Sequence, residues 1–124
     1  MKGTVTLIVP CYNEEESLPI FYHAVCDVAQ TLPDYQMTFL LINDGSKDNT
    51  LQIMRDLAAK DERVKYLSFS RNFGKEAAMY AGFCNAEGDY VAVMDADMQD
   101  PPSLLPQMIE ILEKRDTIAL PRAA

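Results

Sequence analysis

Four short apolar runs alternate along this chain with four longer stretches of helical character, and this alternation restricts the folds open to it. The apolar runs have the length and the Val, Ile and Leu content of buried strands, and they cover 4–10, 36–43, 64–69 and 90–94. Helices are predicted at 17–32, 49–60, 72–85 and 103–114, with Ser17 and Asp48 as N-caps of the first two. Short strand-to-helix connections favour parallel strands joined by right-handed crossovers. The predicted fold class is therefore α/β, with an open, mostly parallel sheet and helices on both faces.

The composition is that of one soluble globular domain. The chain has 124 residues, of which 48% are hydrophobic and 24% are charged, which is enough to bury a core. The formal net charge is -8, and the Lys and Arg residues are scattered. Nucleic-acid binding needs clustered positive charge, so we expect no nucleic-acid partner.

The cysteines and the amino terminus predict the compartment. Cys11, Cys26 and Cys84 form an odd and widely spaced set, so we expect small buried hydrophobic residues in a reducing environment. The amino terminus lacks the pattern of a signal peptide, and no apolar run approaches the roughly 20 residues that span a bilayer. We therefore expect a cytoplasmic, soluble chain.

Polar side chains follow each predicted strand at the point where it ends. The carboxyl ends of parallel strands meet at one edge of a sheet, where ligands of open α/β folds bind. Tyr12 offers an aromatic face for a base, Asp44 an acceptor for an imide or a ribose hydroxyl, and Gly45 room for the close approach of a ligand. Each residue also suits a structural role, because Asp-Gly is a common turn and Tyr12 is a typical half-buried packing residue. Their shared position at strand ends favours a cleft.

The segment 95–100 follows directly on the fourth predicted strand and is rich in side-chain oxygens. If the extended geometry continued, Asp95, Asp97 and Gln99 would point the same way, roughly 6 to 7 Å apart in succession. Two carboxylates at this spacing repel each other unless a cation lies between them. Oxygen ligands of this kind suit Mg²⁺ or Mn²⁺. The alternative is a solvated acidic turn, since Asp100 precedes two prolines.

Four motifs, taken together and in order, resemble glycosyltransferase family 2. They are PCYNEE at 10–15, NDGSKD at 43–48, RNFGK at 71–75 and DADMQDPP at 95–102. More narrowly, the set resembles the polyprenyl-phosphate sugar transferases, a group that includes dolichol-phosphate mannosyltransferase and bactoprenol glucosyltransferase. Asn43 departs from the family's frequent Asp-Asp-Gly-Ser pattern, but Asp44, the residue expected to touch the base, is retained.

The resemblance covers about residues 4–114 and implies the amino-terminal part of a GT-A fold. The implied reaction is an inverting transfer of a hexose from a nucleotide diphosphate sugar, UDP-glucose or similar, to a polyprenyl phosphate. The lipid phosphate acceptor lies at the membrane surface, and full-length relatives are expected at its cytoplasmic face. A phosphate oxygen is already anionic at neutral pH, so a base is dispensable; Asp100 is the nearest carboxylate if one is needed.

The resemblance also implies residue roles. Asp95, Asp97 and Gln99 match the ligands of Mg²⁺ or Mn²⁺, with Asp97 the expected catalytic residue. Arg71 and Lys75 are weaker candidates for the diphosphate, because a basic residue near a helix start more often lies on the surface. The expected nucleotide contacts are Pro10, Tyr12, Glu14, Asp44 and Asp95.

Residues 1–116 are predicted to form the nucleotide-sugar-binding part of the domain, and 117–124 an atypical tail. Members of the family that this chain resembles are much longer than 124 residues. We therefore expect that the chain is a truncated product. A sheet that stops there exposes the edge of the 90–94 strand, which favours a homo-oligomer.

Two other interpretations stay open. One is a truncated, non-catalytic remnant that binds nucleotide sugar. The remote one is a receiver-like signalling domain, which shares the length, the parallel sheet and an acidic Mg²⁺ pocket. A receiver needs an Asp after its third strand and a Lys after its fifth, whereas the third strand here ends in Ser70 and Arg71. A dinucleotide-binding dehydrogenase is disfavoured because no GxGxxG follows the first strand.

Overall fold

The computed structural model describes residues 3–99 and 101–115, in which strands and helices alternate along the chain. The elements are β1 (Gly3–Cys11), α1 (Ser17–Gln30), β2 (Tyr35–Asn43), α2 (Thr50–Lys60), β3 (Val64–Ser68), α3 (Lys75–Asn85), β4 (Tyr90–Val93), a 3-10 turn (Pro102–Leu104) and α4 (Leu105–Arg115). The predicted α/β class with four β-α units is confirmed. The tail predicted at 117–124 lies outside the described residues.

The four strands form one parallel sheet in the order β3-β2-β1-β4. β1 is central and pairs with β2 along its whole length, from Gly3 with Tyr35 to Cys11 with Asn43. The chain advances from β1 to β2 to β3 in one direction and then returns past β1 to β4. The strand order thus reverses between β1 and β4, and open α/β sheets bind ligands beyond the carboxyl ends of the strands at such a point. Within the described residues β4 is an edge strand; association through it stays a prediction.

Helices cover both faces of the sheet, as predicted, and right-handed crossovers explain which helix lies where. α1 and α2 connect strands that advance in one direction, so they lie on one face together with α4. α3 connects strands in the opposite direction and packs on the other face, over Ile8, Leu40 and Val93. Gly82 brings α3 close to β1, because a Cβ there would lie 2.5 Å from Cγ2 of Ile8. This packing determines the position of the first residue of α3 relative to the carboxyl ends of the strands.

Several predicted boundaries differ from the structure, and those at the carboxyl edge bear on the site. α3 begins at Lys75 rather than at 72, because the preceding loop is bonded elsewhere, and β4 ends at Val93, so the chain does not stay extended through 95–99. Ser17 is the first residue of α1 and not its N-cap, since its hydroxyl donates to the Glu14 carboxylate. Asp48 accepts from the backbone N–H of Thr50 as a cap does, although α2 begins after Asn49.

The cysteine prediction held only in part. All three are free thiols, but only Cys11 is buried; Cys26 is half-buried and Cys84 is exposed, which corrects the expectation of buried residues. Among the described residues, no helix combines the length and apolar character needed to span a bilayer.

Asp61, at the end of α2, ties three elements together at the edge opposite the strand ends. Its carboxylate accepts from the Tyr22 hydroxyl of α1 at 2.6 Å and from the Arg63 guanidinium before β3, whose Nη2 lies 2.8 Å away and whose Nε lies 3.0 Å away. The Arg63 hydrogen bonds, followed by the one from Tyr22, hold the pKa of Asp61 well below its usual range. The side chain of Asp61 is 11% exposed and that of Arg63 is 39% exposed, so solvent screens this ion pair in part.

We expect Asp61→Ala to lower the free energy of unfolding by about 3 kcal/mol at pH 7, because it leaves the Arg63 charge and the Tyr22 hydroxyl without their acceptor. A lowered folded-state pKa contributes stability above the unfolded pKa of about 4, and that stability is lost as the pH falls through the folded-state pKa. Urea unfolding should therefore show the gap between wild type and variant narrowing by about 1 kcal/mol from pH 5 to pH 3. A gap of the same size at both pH values would contradict this account. Asp27→Ala, an exposed site on α1, is the control.

Candidate active site at the strand ends

A cavity of about 250 Å³ opens at the carboxyl edge of the sheet, beyond the ends of β1 and β4. Its position matches the point where the strand order reverses, as expected for a ligand crevice. The described residues that line it are Pro10, Cys11, Tyr12, Glu14, Asp44, Lys75, Asp95, Asp97 and Gln99. The structure therefore brings together every predicted site residue except Arg71.

Asp95, Asp97 and Gln99 reach the cavity through a turn and not through strand alternation. The backbone of Met98 adopts a φ of +67°, and the N–H of Gln99 donates to Oδ1 of Asp97 at 3.1 Å. The prediction that an extended chain aligns the three side chains was thus wrong in its mechanism, although all three line the same cavity. The turn leaves Asp97 and Gln99 exposed and Asp95 half-buried, so their oxygens remain accessible.

Lys75 neutralises Asp95. Its Nζ donates to Oδ2 of Asp95 at 2.7 Å, across the gap between the start of α3 and the end of β4. Within residues 3–99 and 101–115, no three His, Cys, Asp or Glu side chains are grouped closely enough to hold a metal ion. The donor chemistry nevertheless fits Mg²⁺ or Mn²⁺, because two carboxylates and an amide oxygen are hard ligands, and Asp95 already holds a cationic group.

Glu14 shows how acidic this cavity is. Burial raises the pKa of Glu14, and the neighbouring charges of Asp97, Asp95 and Asp48 raise it further, against a hydrogen bond from the Ser17 hydroxyl that lowers it. A carboxylate whose pKa is raised by neighbouring carboxylates is stabilised in its charged form by a cation placed among them. The electrostatics of the cavity therefore favour a bound cation, independently of any motif.

Asp44 is buried, and its carboxylate accepts hydrogen bonds from other residues of the chain. Its carboxylate accepts from the backbone N–H groups of Phe73 at 2.8 Å and Gly74 at 3.1 Å, and from the Asn72 amide at 3.1 Å. These bonds fold the loop between β3 and α3 around Asp44 and explain why α3 begins late. A carboxylate offers about four acceptor positions, so about one remains for a ligand. The predicted nucleotide contact is therefore also the centre of a loop.

Gly45 allows this loop to approach. It has a φ of +68°, and a Cβ there would lie 2.1 Å from the carbonyl carbon of Arg71 and 2.2 Å from the nitrogen of Asn72. The sequence predicted that Gly45 makes room for a ligand, but in the structure the room is taken by the backbone of the neighbouring loop.

The loop after β1 is bonded to the loop after β2. Asn13, with a φ of +54°, accepts from the N–H of Lys47 at 2.8 Å through its side chain. The N–H of Glu14 donates to Oγ1 of Thr50 at 2.8 Å. With the bonds of Asp44, three successive strand-to-helix loops are joined by hydrogen bonds beside the cavity.

Three further residues concern the site: Cys11, Arg71 and Asp100. Cys11 lines the cavity and was missed, although its place directly after the predicted strand 4–10 gave the signal; burial raises the pKa of its thiol. Arg71 lies outside the cavity, with its guanidinium carbon 4.4 Å from the centroid of the Phe73 ring. Asp100, considered as a base, lies outside the described residues.

Solved structures share this fold. The mannosyltransferase PcManGT from Pyrobaculum calidifontis, in complex with GDP-Man and Mn²⁺, aligns with a TM-score of 0.69 at 23% identity, over 90% of this chain and 33% of that one. S. aureus TarS 1-349, in complex with UDP-GlcNAc, aligns with a TM-score of 0.67 at 22% identity, over 91% of this chain and 32% of that one. Likeness at this identity confirms the expected GT-A architecture.

Relatives with curated names are closer in sequence. A bactoprenol glucosyl transferase of Shigella phage SfV is 48% identical over 106 residues, which cover 86% of this chain and 34% of that protein. An undecaprenyl-phosphate 4-deoxy-4-formamido-L-arabinose transferase of Pseudomonas fluorescens (strain SBW25) is 39% identical over 107 residues, which cover 86% of this chain and 31% of that protein. This chain thus spans about a third of the length of these relatives.

The family itself is matched along nearly the whole sequence. The description "Glycosyl transferase family 2" fits residues 6–123, a range that contains all four motifs and every residue of the cavity. From that match and the relative at 48% identity, the chain belongs to glycosyl transferase family 2.

Proposed function

We propose that this chain binds the sugar donor of a metal-dependent, inverting glycosyltransferase that moves a hexose from a nucleotide diphosphate sugar to a polyprenyl phosphate. The observation that carries the proposal is the acidic cavity at the strand ends, where Asp95, Asp97 and Gln99 lie beside the ammonium group of Lys75. The names of the relatives support the acceptor class, since they carry the words bactoprenol and undecaprenyl-phosphate.

The cavity offers separate positions for the parts of a nucleotide. The base lies against the ring of Tyr12, which is 42% exposed, and bonds to the acceptor position of Asp44 that the loop leaves unused. Pro10 and Glu14 contact the base and the ribose. The diphosphate then reaches the Asp95 side of the cavity, which Lys75 also lines.

Asp95, Asp97 and Gln99 hold Mg²⁺ or Mn²⁺ in this proposal, with Asp97 as the catalytic residue. When bound, the cation stabilises the negative charge that grows on the departing diphosphate as the bond from the anomeric carbon to oxygen breaks. Lys75 adds a further positive charge on the same side of the cavity. The acceptor phosphate at the cytoplasmic face of the membrane is already anionic and attacks without a dedicated base.

The alternative is a remnant that binds nucleotide sugar but does not transfer it. This chain spans about a third of the relatives' length, so transfer is tested separately from donor binding. Calorimetric titration with UDP, GDP and their sugars, with and without Mn²⁺, tests donor binding; a transfer assay with polyprenyl phosphate separates the two readings. If no nucleotide binds under either condition, both readings are wrong.

We expect Asp97→Ala to remove the metal dependence of nucleotide binding, because it deletes one of two carboxylate ligands. Nucleotide affinity in Mn²⁺ should fall about tenfold or more, a loss of roughly 1.4 kcal/mol, to the level measured without metal. Asp27→Ala removes the same charge from an exposed site on α1 and should leave the affinity unchanged. Equal Mn²⁺-dependent binding by Asp97→Ala and wild type would remove Asp97 from the ligand set.

A further inference from the structure

We propose that the ammonium group of Lys75 is a built-in cation that occupies Asp95 while the metal is absent and leaves it when the metal arrives. Lys75 then turns to the diphosphate, so that metal binding and nucleotide binding strengthen each other. This inference rests on the proposed function, because it concerns the same cavity and the same cation.

The position of Lys75 is unfavourable for the helix that carries it. Lys75 is the first residue of α3, where the helix dipole favours negative and disfavours positive charge. Within the described lining, Lys75 is the one cationic side chain facing four carboxylates: Glu14, Asp44, Asp95 and Asp97. A residue that opposes its local preference is typical of a functional position, and here the gain is the 2.7 Å contact with Asp95.

We expect a divalent cation to displace the ammonium group of Lys75 from this ion pair. The Lys75 side chain is 58% exposed and that of Asp95 is 26% exposed, and exposed pairs contribute little free energy. A divalent cation carries twice the charge and also gains the oxygens of Asp97 and Gln99. Both cations are attracted to the same carboxylate, and their positive charges repel each other when they share it, so they compete for Asp95.

The backbone around Lys75 is fixed, so only the side chain has to move. The N–H groups of Phe73 and Gly74 are bonded to Asp44, which anchors the residues just before α3. Beyond Lys75, α3 is held against β1 by the close packing of Gly82 on Ile8. A lysine has four rotatable bonds in its stem, which allows the ammonium to exchange one anion for another nearby.

The test is Mn²⁺ binding to the chain without nucleotide, measured by electron paramagnetic resonance for wild type and Lys75→Met. We expect Lys75→Met to bind Mn²⁺ roughly three- to tenfold more tightly, because a competing cation has been removed. Saturating UDP should then increase the Mn²⁺ affinity of wild type more than that of Lys75→Met, since coupling between two ligands is reciprocal.

Two controls separate competition from general electrostatics. Lys47→Met makes the same change in net charge from an exposed loop position that does not line the cavity, and its Mn²⁺ affinity should stay near that of wild type. Lys75→Arg keeps the charge and should keep the weaker affinity. Circular dichroism of each variant verifies that the fold is retained.

The outcomes distinguish the two proposals. Tighter Mn²⁺ binding by Lys75→Met alone supports the inference. Equal or weaker binding by Lys75→Met, or an equal increase in Lys47→Met, overturns the inference and leaves the proposed function standing. If neither wild type nor Lys75→Met binds Mn²⁺ with or without UDP, the metal-dependent function and the inference both fail.

Discussion

Gly45→Ala is expected to lower the free energy of unfolding by about 4 kcal/mol, which is large for one methyl group. The added Cβ would lie 2.1 Å from the Arg71 carbonyl carbon and 2.2 Å from the Asn72 nitrogen, and these are backbone atoms that have no other rotamer to adopt. The φ of +68° adds the usual penalty of a left-handed conformation for a residue with a side chain. Urea unfolding followed by circular dichroism measures the loss.

Gly74→Ala is a control that introduces backbone strain without a steric conflict. Gly74 has a φ of +103°, but a Cβ there would meet nothing within 4 Å. Its cost should be limited to the backbone strain of about 2 kcal/mol. If the two variants lose equal stability, the close approach of the loops after β2 and β3 does not explain the requirement for Gly45.

Asp44→Ala is expected to cost about 3 kcal/mol of stability and to abolish nucleotide binding as well. The change leaves the N–H groups of Phe73 and Gly74 and the amide of Asn72 without their acceptor. It also releases the segment that carries Lys75 to the cavity. Urea unfolding and titration with UDP in Mn²⁺ measure the two effects on the same samples.

Asn72→Ala distinguishes the structural role of Asp44 from its contact with the ligand. This variant removes one of the three donors and keeps the carboxylate, so it should cost about 1 kcal/mol and retain nucleotide binding at reduced affinity. A fully stable Asp44→Ala that has merely lost binding would show that Asp44 serves the nucleotide alone.

The sequence predicted the sheet well because its signals are local. Each strand is a continuous apolar run, and each polar motif directly follows one, so the assignment of Tyr12, Asp44 and Asp95 to one edge needed only the rule that parallel strands end together. Once the strand order is known, crossover handedness explains the face on which each helix lies. The return of the chain past β1 to β4 does not follow from short connections. Cys11 could also have been assigned to this edge, because it directly follows the predicted strand 4–10.

What the sequence did not predict depends on contacts between distant loops. The donors to Asp44 lie 28 to 30 residues later in the chain, and the ion pair of Lys75 and Asp95 joins positions 20 residues apart. Helical character alone therefore extended α3 back to 72, where the loop is in fact bonded to Asp44. The turn at 95–99 was only the alternative interpretation, because acidic residues after a strand are compatible with an extended chain and with a turn.

We expect the hydrogen bonds that join the three loops to couple their motions as well. The loop that contains Asn13 cannot move away without breaking its hydrogen bonds to Ser46 and Lys47. The loop that contains Ser46 and Lys47 is held in turn by the packing of Gly45 against the loop after β3. Fluctuations of these segments are consequently concerted, and their amide protons should exchange with solvent at a common rate. A substitution in any one segment therefore alters the free energy of all three, and we expect the effects of substitutions in different segments to be non-additive.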